Sequence, residues 1–479
     1  MKTLFAVLAI LLLTIPAPAP VDPDKEVAFR WVDENAAAIR KVSLNIWNNA
    51  ELALREFKSS RELAAYLESN GFRVERGVAG LPTAFVATYG SGKPVIAIYG
   101  EFDALPGVSQ KAEPMRAALV EGGAGHACGH NLFGAASATA AIATKRAMEA
   151  RGIPGTLRFY GTPAEESIGG KNYMLEAGLF DDVDVLLGWH PATVTAASFD
   201  YSKAVVDVRF KFKGLPAHAS ASPHLGRSAL DGVELMDVAV NFMREHVKED
   251  ARIHYVITNG GGQPNVVPPE AESWYYIRAN KHADVEDIFL WISQIAKGAA
   301  LMSRTEVEIT VQDDSHERLP NRPLSEIIDR NLRLVGAPRF TDEEKAFAWK
   351  LQEPLGRSFD VALSETIEAL PEKPGQGLAS TDVGNVSWAV PTGALTVTAA
   401  PVGAPGHSWQ NVACAGMSIG QKTIVVAAKA LAATALDLLR NPALVEAAKK
   451  DFAERKKGYA YRLLLPPNRK PPVFTESQR

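Results

Sequence analysis

Apolar and polar positions change period repeatedly along this chain of 479 residues. Over residues 23–70, Trp31, Ile39, Leu44, Leu52, Leu63 and Leu67 recur at helical spacing and predict two amphipathic helices ending at Gly71. Short apolar runs then take over, and residues 84–89, 94–99, 157–161 and 183–187 predict strands. An Ala-rich helix after Asn131 and a helix over 171–177 lie between them. Strands alternating with helices predict an α/β fold, a mostly parallel sheet covered on both faces by helices. Chemistry in such sheets sits beyond the carboxyl ends of the strands.

The pattern over 204–317 is different. Strands over 205–213, 253–258, 272–278 and 306–311, with helices over 228–247 and 285–302, follow the order β-α-β-β-α-β. That order predicts a ferredoxin-like α+β domain, inserted as a lid or dimerisation unit between two parts of the first domain, 21–203 and 318–479. In the second part, 324–335 and 343–348 predict helices, 394–399 a strand returning to the first sheet, and 418–440 a long Ala-rich helix. The basic, Pro-rich tail beyond Lys456 reads as a surface strap with no chemistry of its own.

Composition changes the picture mainly at the amino terminus. Lys2, the apolar run 4–15 and the Pro/Ala segment 16–20 have the form of an export signal over residues 1–20. The run is shorter than the roughly 20 residues a spanning helix needs, so a periplasmic or secreted chain without a permanent membrane span is expected. Apolar content of 47% and charged content of 22% are those of a globular protein, and a formal charge of −4 gives no electrostatic case for nucleic acid. Cys128 and Cys414 are the two cysteines. Metal binding by Cys128 would exclude a disulfide and leave Cys414 as a small buried residue.

The candidate chemistry falls at the predicted strand ends. In GHACGHN, an extended backbone would aim Cys128 and His130 the same way, and the helix that follows would favour the thiolate. Adjacent Glu165 and Glu166 in PAEES point in different directions, so one can bind a metal while the other faces a water on it; an isolated pair also reads as a solvated acidic turn. His190 in GWHP and His407 in APGHSWQ read either as ligands or as hydrogen-bonded histidines. Together Cys128, His130, Glu166, His190 and His407 offer donors that suit zinc, manganese or cobalt. Five ligands are one too many for a tetrahedral catalytic zinc and suit two metals sharing a water. Asp103 in GEFDALPG is a partner for a ligand histidine or a loop cap; Asp382 and Glu101 are more ambiguous. His218, Asn265 and Arg278 lie in the insert and matter only if it closes over the site or meets it from a second subunit.

GEFDALPG, GHACGHN, PAEES, GWHP, the segment around His218, Asn265 followed thirteen residues later by Arg278, STDVGNVSW and GHSW occur in a telling order. It resembles that of the metal-dependent amidohydrolases of the M20 peptidase family, with GHNLFG, PHLGRSALD and HYVITNGGGQPNVV most similar to the aminobenzoyl-glutamate utilisation protein B branch. The resemblance implies two divalent metals, manganese or zinc with cobalt as a third option, on Cys128, His130, Glu166, His190 and His407. It implies Glu165 as general base, with Asp103 behind a ligand histidine. His218 would reach the scissile carbonyl across a homodimer formed by the insert, Asn265 would bind the same region, and Arg278 would clamp a substrate carboxylate. Many family members have a ligand histidine where Glu101 stands, and Cys128 would replace it here, as in the auxin-conjugate hydrolase branch. The expected reaction is hydrolysis of the amide of an N-acyl or N-aroyl amino acid. A secreted dipeptidase or carboxypeptidase is the alternative within the family, a non-catalytic metal-binding scaffold the alternative outside it, and a different partner subunit stays open.

Overall fold

The computed structural model describes residues 22–466 and 468–476, so the export signal read over 1–20 lies outside the described residues. Three helices come first, Pro23–Glu34, Ala36–Asn49 and Phe57–Ser69, where the periodicity predicts two. Asn35 leaves helical geometry between the first two, and Ala50 ends the second in the left-handed region. The strands then follow as Arg73–Arg76 (β1), Phe85–Ser91 (β2), Val95–Glu101 (β3), Gly155–Thr162 (β4), Val185–Ala192 (β5), Ala196–Ala197 (β6) and Asp200–Tyr201 (β7). The insert supplies Ala204–Lys213 (β8), Arg252–Asn259 (β9), Glu270–Ala279 (β10) and Glu306–Ser315 (β11), and the chain returns with Gly375–Gln376 (β12) and Thr392–Thr398 (β13).

The main sheet has the order β1-β2-β4-β3-β5-β13-β6. Its middle is parallel, β4 to β3, β3 to β5 and β5 to β13, while the pairings of β1, β2 and β6 are antiparallel. Every residue of β3 is buried, as expected of a strand covered on both faces. The helix His130–Arg151 is buried over most of its circumference and packs on β3 and on Ser418–Arg440. Its run of alanines lets backbone approach backbone closely. Four parallel strands therefore end on one side, and the segments following β3, β4 and β13 and the end of β5 carry the candidate side chains.

The insert forms a second sheet of order β11-β8-β10-β9, the ferredoxin-like arrangement. Alternation along β10 sets its two faces: Ser273, Tyr275 and Ile277 are buried on one side, and Trp274, Tyr276 and Arg278 are half-buried on the other. The helices Ala229–Met243 and His282–Ser303 cover the first of these faces. The second carries Tyr276 and Arg278 into a cleft shared with the main sheet.

Candidate active site

The cleft has a volume of about 660 Å³ and is lined by Cys128, Glu165, Glu166, His190, His407 and Arg278, among others. Cys128 and His130 converge by a route other than the extended segment that alternation predicts. Gly129 turns the chain at φ 77° and His130 is already the first residue of the helix. A side chain at Gly129 would place its Cβ 2.7 Å from Pro191, so glycine is what lets GHACGHN lie against GWHP. The Cys128 sulfur is consequently 3.3 Å from His190 Nε2. His126, the other histidine of the motif, turns away and donates from Nε2 to the Ile46 carbonyl at 3.0 Å.

Asp103 Oδ1 lies 2.7 Å from His130 Nδ1, and its Oδ2 accepts the Glu166 backbone amide at 2.9 Å. This fixes the His130 ring with Nε2 turned inward. His190 is oriented similarly, with Nδ1 2.7 Å from the Pro191 carbonyl. The PAEES turn has Ala164 at φ 60°, and the Ala164 amide donates to Glu56 Oε1 at 2.9 Å. Glu56 is fully buried and invisible to motif reading; burial, then the Asp103 charge, pushes its carboxyl up to about 8. His407 also has positive φ, 57°, and its Nε2 stands 3.6 Å from Glu166 Oε1. Asn411 ties that loop to GHACGHN by donating to the Ala127 carbonyl at 3.0 Å.

Cys128 with His130 and His190, and Cys128 with Glu166 and His407, each present donor atoms within 4.8 Å of one another. Cys128 is common to both sets. His130 Nε2 and Glu166 Oε1 are buried and make no hydrogen bond within the chain, a costly arrangement unless a cation takes their lone pairs. These residues fit a pair of divalent ions. Burial pushes the Cys128 thiol up, Glu166 and Glu165 add to this, and His130 opposes it. The helix N-terminus expected to favour the thiolate is therefore outweighed, and a thiolate here requires bound cations. Burial also raises the Glu165 carboxyl well above its ordinary value, reinforced by the charges of Glu101, Glu166 and Asp382.

The insert residues divide. Arg278 lies in the cleft, donating to Ser380 Oγ at 2.8 Å, with its guanidinium 5.4 Å from the Tyr276 ring. His218 and Asn265 are exposed neighbours, linked by the Ala219 amide to the Asn265 carbonyl at 2.9 Å, and neither lines the cleft. Two charges missed by motif reading lie deeper. Lys171 donates to Glu101 Oε1 at 2.6 Å and to Asp382 Oδ1 at 2.7 Å, all three side chains being buried. Glu101 and Asp382 were ambiguous in sequence because their shared partner is a lysine inside a predicted helix.

A hydrolytic α/β enzyme with an inserted α+β unit is what this fold and cleft define, and the comparisons agree. The model of peptidase family M20/M25/M40 matches residues 97–437, and the chain belongs to that family. It is 40% identical over 470 residues to one of the two kinds of subunit of the p-aminobenzoyl-glutamate hydrolase of Escherichia coli, covering 92% of this chain and 98% of that one. Identity to the mouse Xaa-Arg dipeptidase is 31% over 441 residues, 89% and 92% of the two chains. The structure of the Bacillus subtilis YXEP protein, a dinuclear metal binding peptidase from the M20 family, matches with TM-score 0.56 at 18% identity. It covers 85% of this chain and 99% of that one. The protein is therefore a hydrolase of the M20 amidohydrolase type. Among the described residues, no helix is long and apolar enough to cross a membrane.

Proposed function

We propose that the protein hydrolyses the amide bond of N-acyl or N-aroyl amino acids carrying a free carboxylate, aminobenzoyl-glutamate among them. The observation that carries this reading is the convergence of Cys128, His130, Glu166, His190 and His407, two of their buried donor atoms unpartnered, at a cleft that also holds Glu165 and Arg278. Two divalent ions, manganese or zinc, when bound by those five residues, would acidify a water and polarise the substrate carbonyl. Asp103 keeps the His130 tautomer fixed. Glu165 takes the proton of the attacking water and delivers it to the leaving nitrogen, a role that its burial and raised affinity for a proton suit. Arg278 receives the substrate carboxylate by a charge-assisted contact.

His218 completes the site from a second copy of the chain. Its Nδ1 accepts from the Ser220 and Ala221 amides at 3.2 and 3.1 Å, so the neutral ring carries its proton on Nε2, free to donate to a developing oxyanion. Asn265 beside it binds the same region. A homodimer through the insert is supported by exposed Val256 and Ile257 on the edge strand β9 and by Leu235, Val238 and Phe242 on the neighbouring helix. A distinct partner chain is also in play, since two of the E. coli relatives are named as different subunits of one hydrolase. The export signal makes this a periplasmic or secreted activity.

Likeness to the Xaa-Arg dipeptidase favours a second reading, cleavage of unblocked dipeptides. One experiment separates them: hydrolysis by the metal-reconstituted protein of aminobenzoyl-glutamate, N-acyl amino acids and Xaa-Arg dipeptides. Turnover of the blocked substrates supports the first reading, and turnover confined to free dipeptides overturns it.

A further inference from the structure

Lys171 sits at the start of the short helix Gly170–Glu176 with its ammonium in the protein interior. A buried lysine is costly unless it is paired, and here the pairing is complete. Nζ donates to Glu101 Oε1 at 2.6 Å and to Asp382 Oδ1 at 2.7 Å, and the Lys171 backbone amide donates to Asp382 Oδ2 at 2.9 Å. The ammonium also lies 5.3 Å from the Tyr99 ring centroid. Burial opposes the charged form, and Asp382 and Glu101 outweigh it.

The other oxygen of Glu101 is what connects this pair to the chemistry. Glu101 Oε2 is 3.1 Å from His130 Nε2, the unpartnered nitrogen that fits a metal. Glu101, His130 and Glu165 present donor atoms within 4.8 Å of one another, so Glu101 is competent as a ligand in type and position. Lys171 competes for the same carboxylate with a fixed positive charge. Asp382, held by both the ammonium and the amide of Lys171, locks that charge in place.

We propose that Lys171 is a positioning residue that holds Glu101 as a non-ligating carboxylate beside His130 and thereby limits the negative charge acting on the metal pair. The inference rests on the metal reading of the five ligands. Its consequence runs against that of ordinary damage to a site. Losing Lys171 frees Glu101 and adds net negative charge next to the cations, so metal is held more tightly. The same charge weakens their pull on water and carbonyl, so turnover slows.

The test is a set of variants of the full chain, with zinc and manganese dissociation constants measured by competition against a chromophoric chelator, alongside kcat, KM and melting temperature. Lys171→Met should lower the dissociation constant by about tenfold or more and lower kcat by a similar factor, with KM little changed. Glu101→Gln should raise the dissociation constant by about tenfold at unchanged stoichiometry, and it should fold because Lys171 keeps Asp382 as its partner. The double variant Lys171→Met/Glu101→Gln should return close to the wild-type affinity, and Lys171→Arg should stay there. If Lys171→Met does not fold, the Glu101→Gln and double variants still decide the matter. Unchanged affinity in both, or weakened affinity in a folded Lys171→Met, makes the cluster merely structural and overturns the proposal. Loss of a bound ion in Glu101→Gln makes Glu101 a ligand and also overturns it. Failure of the wild-type chain to bind either metal sinks the metal reading itself, a separate result.

Discussion

Glu165 and Glu166 share a turn but not an environment. The Glu166 amide is tied to Asp103 and its Oε1 faces the sulfur and imidazole donors, whereas Glu165 is deeper and is charge-coupled to Glu101 and Asp382. Glu165→Gln keeps the shape and removes the proton acceptor, so kcat should fall by roughly 10²- to 10⁴-fold with metal content unchanged. Steady-state kinetics with metal analysis of the same sample checks it, and near-normal turnover would remove Glu165 from the mechanism. Sequence alone exposes this pair because the motif is contiguous. It does not expose Lys171, Glu101 and Asp382, which come from three distant segments and become one cluster only when β3, the short helix and the 380s loop meet. Nor does it single out Glu56, whose task is to hold one backbone amide of the turn.

Among elements, strands buried on both faces are the most legible, since β3, β4, β5 and β13 are continuous apolar runs. The strand β1, RVER, is not, because an edge strand with mostly exposed side chains has no apolar run. The GHACGHN turn is a subtler case: the convergence of Cys128 and His130 holds, yet it comes from a left-handed glycine followed by a helix and not from strand alternation. Gly129→Ala should therefore lower stability by about 1 to 3 kcal/mol and weaken metal binding, because it combines φ strain with a clash against Pro191. Thermal melts and metal affinity measure the two effects; a variant equal to wild type in both would remove the constraint.

In β8, Asp207 is buried on the insert's cleft-side face, accepting from Trp274 Nε1, with Arg209 attracting its charge. Burial nevertheless wins and raises its carboxyl to about 6. A raised folded-state value means that Asp207 stabilises the fold most below its unfolded value near 4 and loses that contribution as pH rises through about 6. Asp207→Asn removes this dependence. Relative to wild type, the variant should gain on the order of 2 kcal/mol on going from pH 4 to pH 8, read as the difference between two melting curves. A constant difference across that range would show that the carboxyl titrates normally.

At the scale of the molecule, what the chain holds together is most of a site. The tail read as an inert strap proves to be part of the frame: the Arg462 carbonyl is 2.8 Å from His316 Nε2, the Leu464 amide donates to Asp314 Oδ2 at 2.6 Å, and Arg469 stacks 3.9 Å from the Tyr173 ring. It binds the exit of β11, where the insert rejoins the main domain, and polar Pro-rich sequence carries no sign of this because the contacts use its backbone and one guanidinium. Arg278 reaches the cleft within this frame, but His218 and Asn265 do not, and that separation yields a discriminating prediction. If His218 serves the cleft of a second copy, His218→Ala and Glu165→Gln chains are each inactive for reasons that lie in different sites of a dimer. A mixed dimer then contains one site with both wild-type residues and one with neither. Equal mixing with free exchange makes half the dimers hybrid, so activity should recover to about a quarter of the wild-type value per total sites. His218→Ala alone should lower kcat with little change in KM, since it removes a donor to charge that develops during reaction. Exchange is verified by tagging one variant and recovering the other with it. Recovery above the sum of the separate variants supports a shared site, whereas verified exchange without recovery means that His218 acts in its own protomer or not at all.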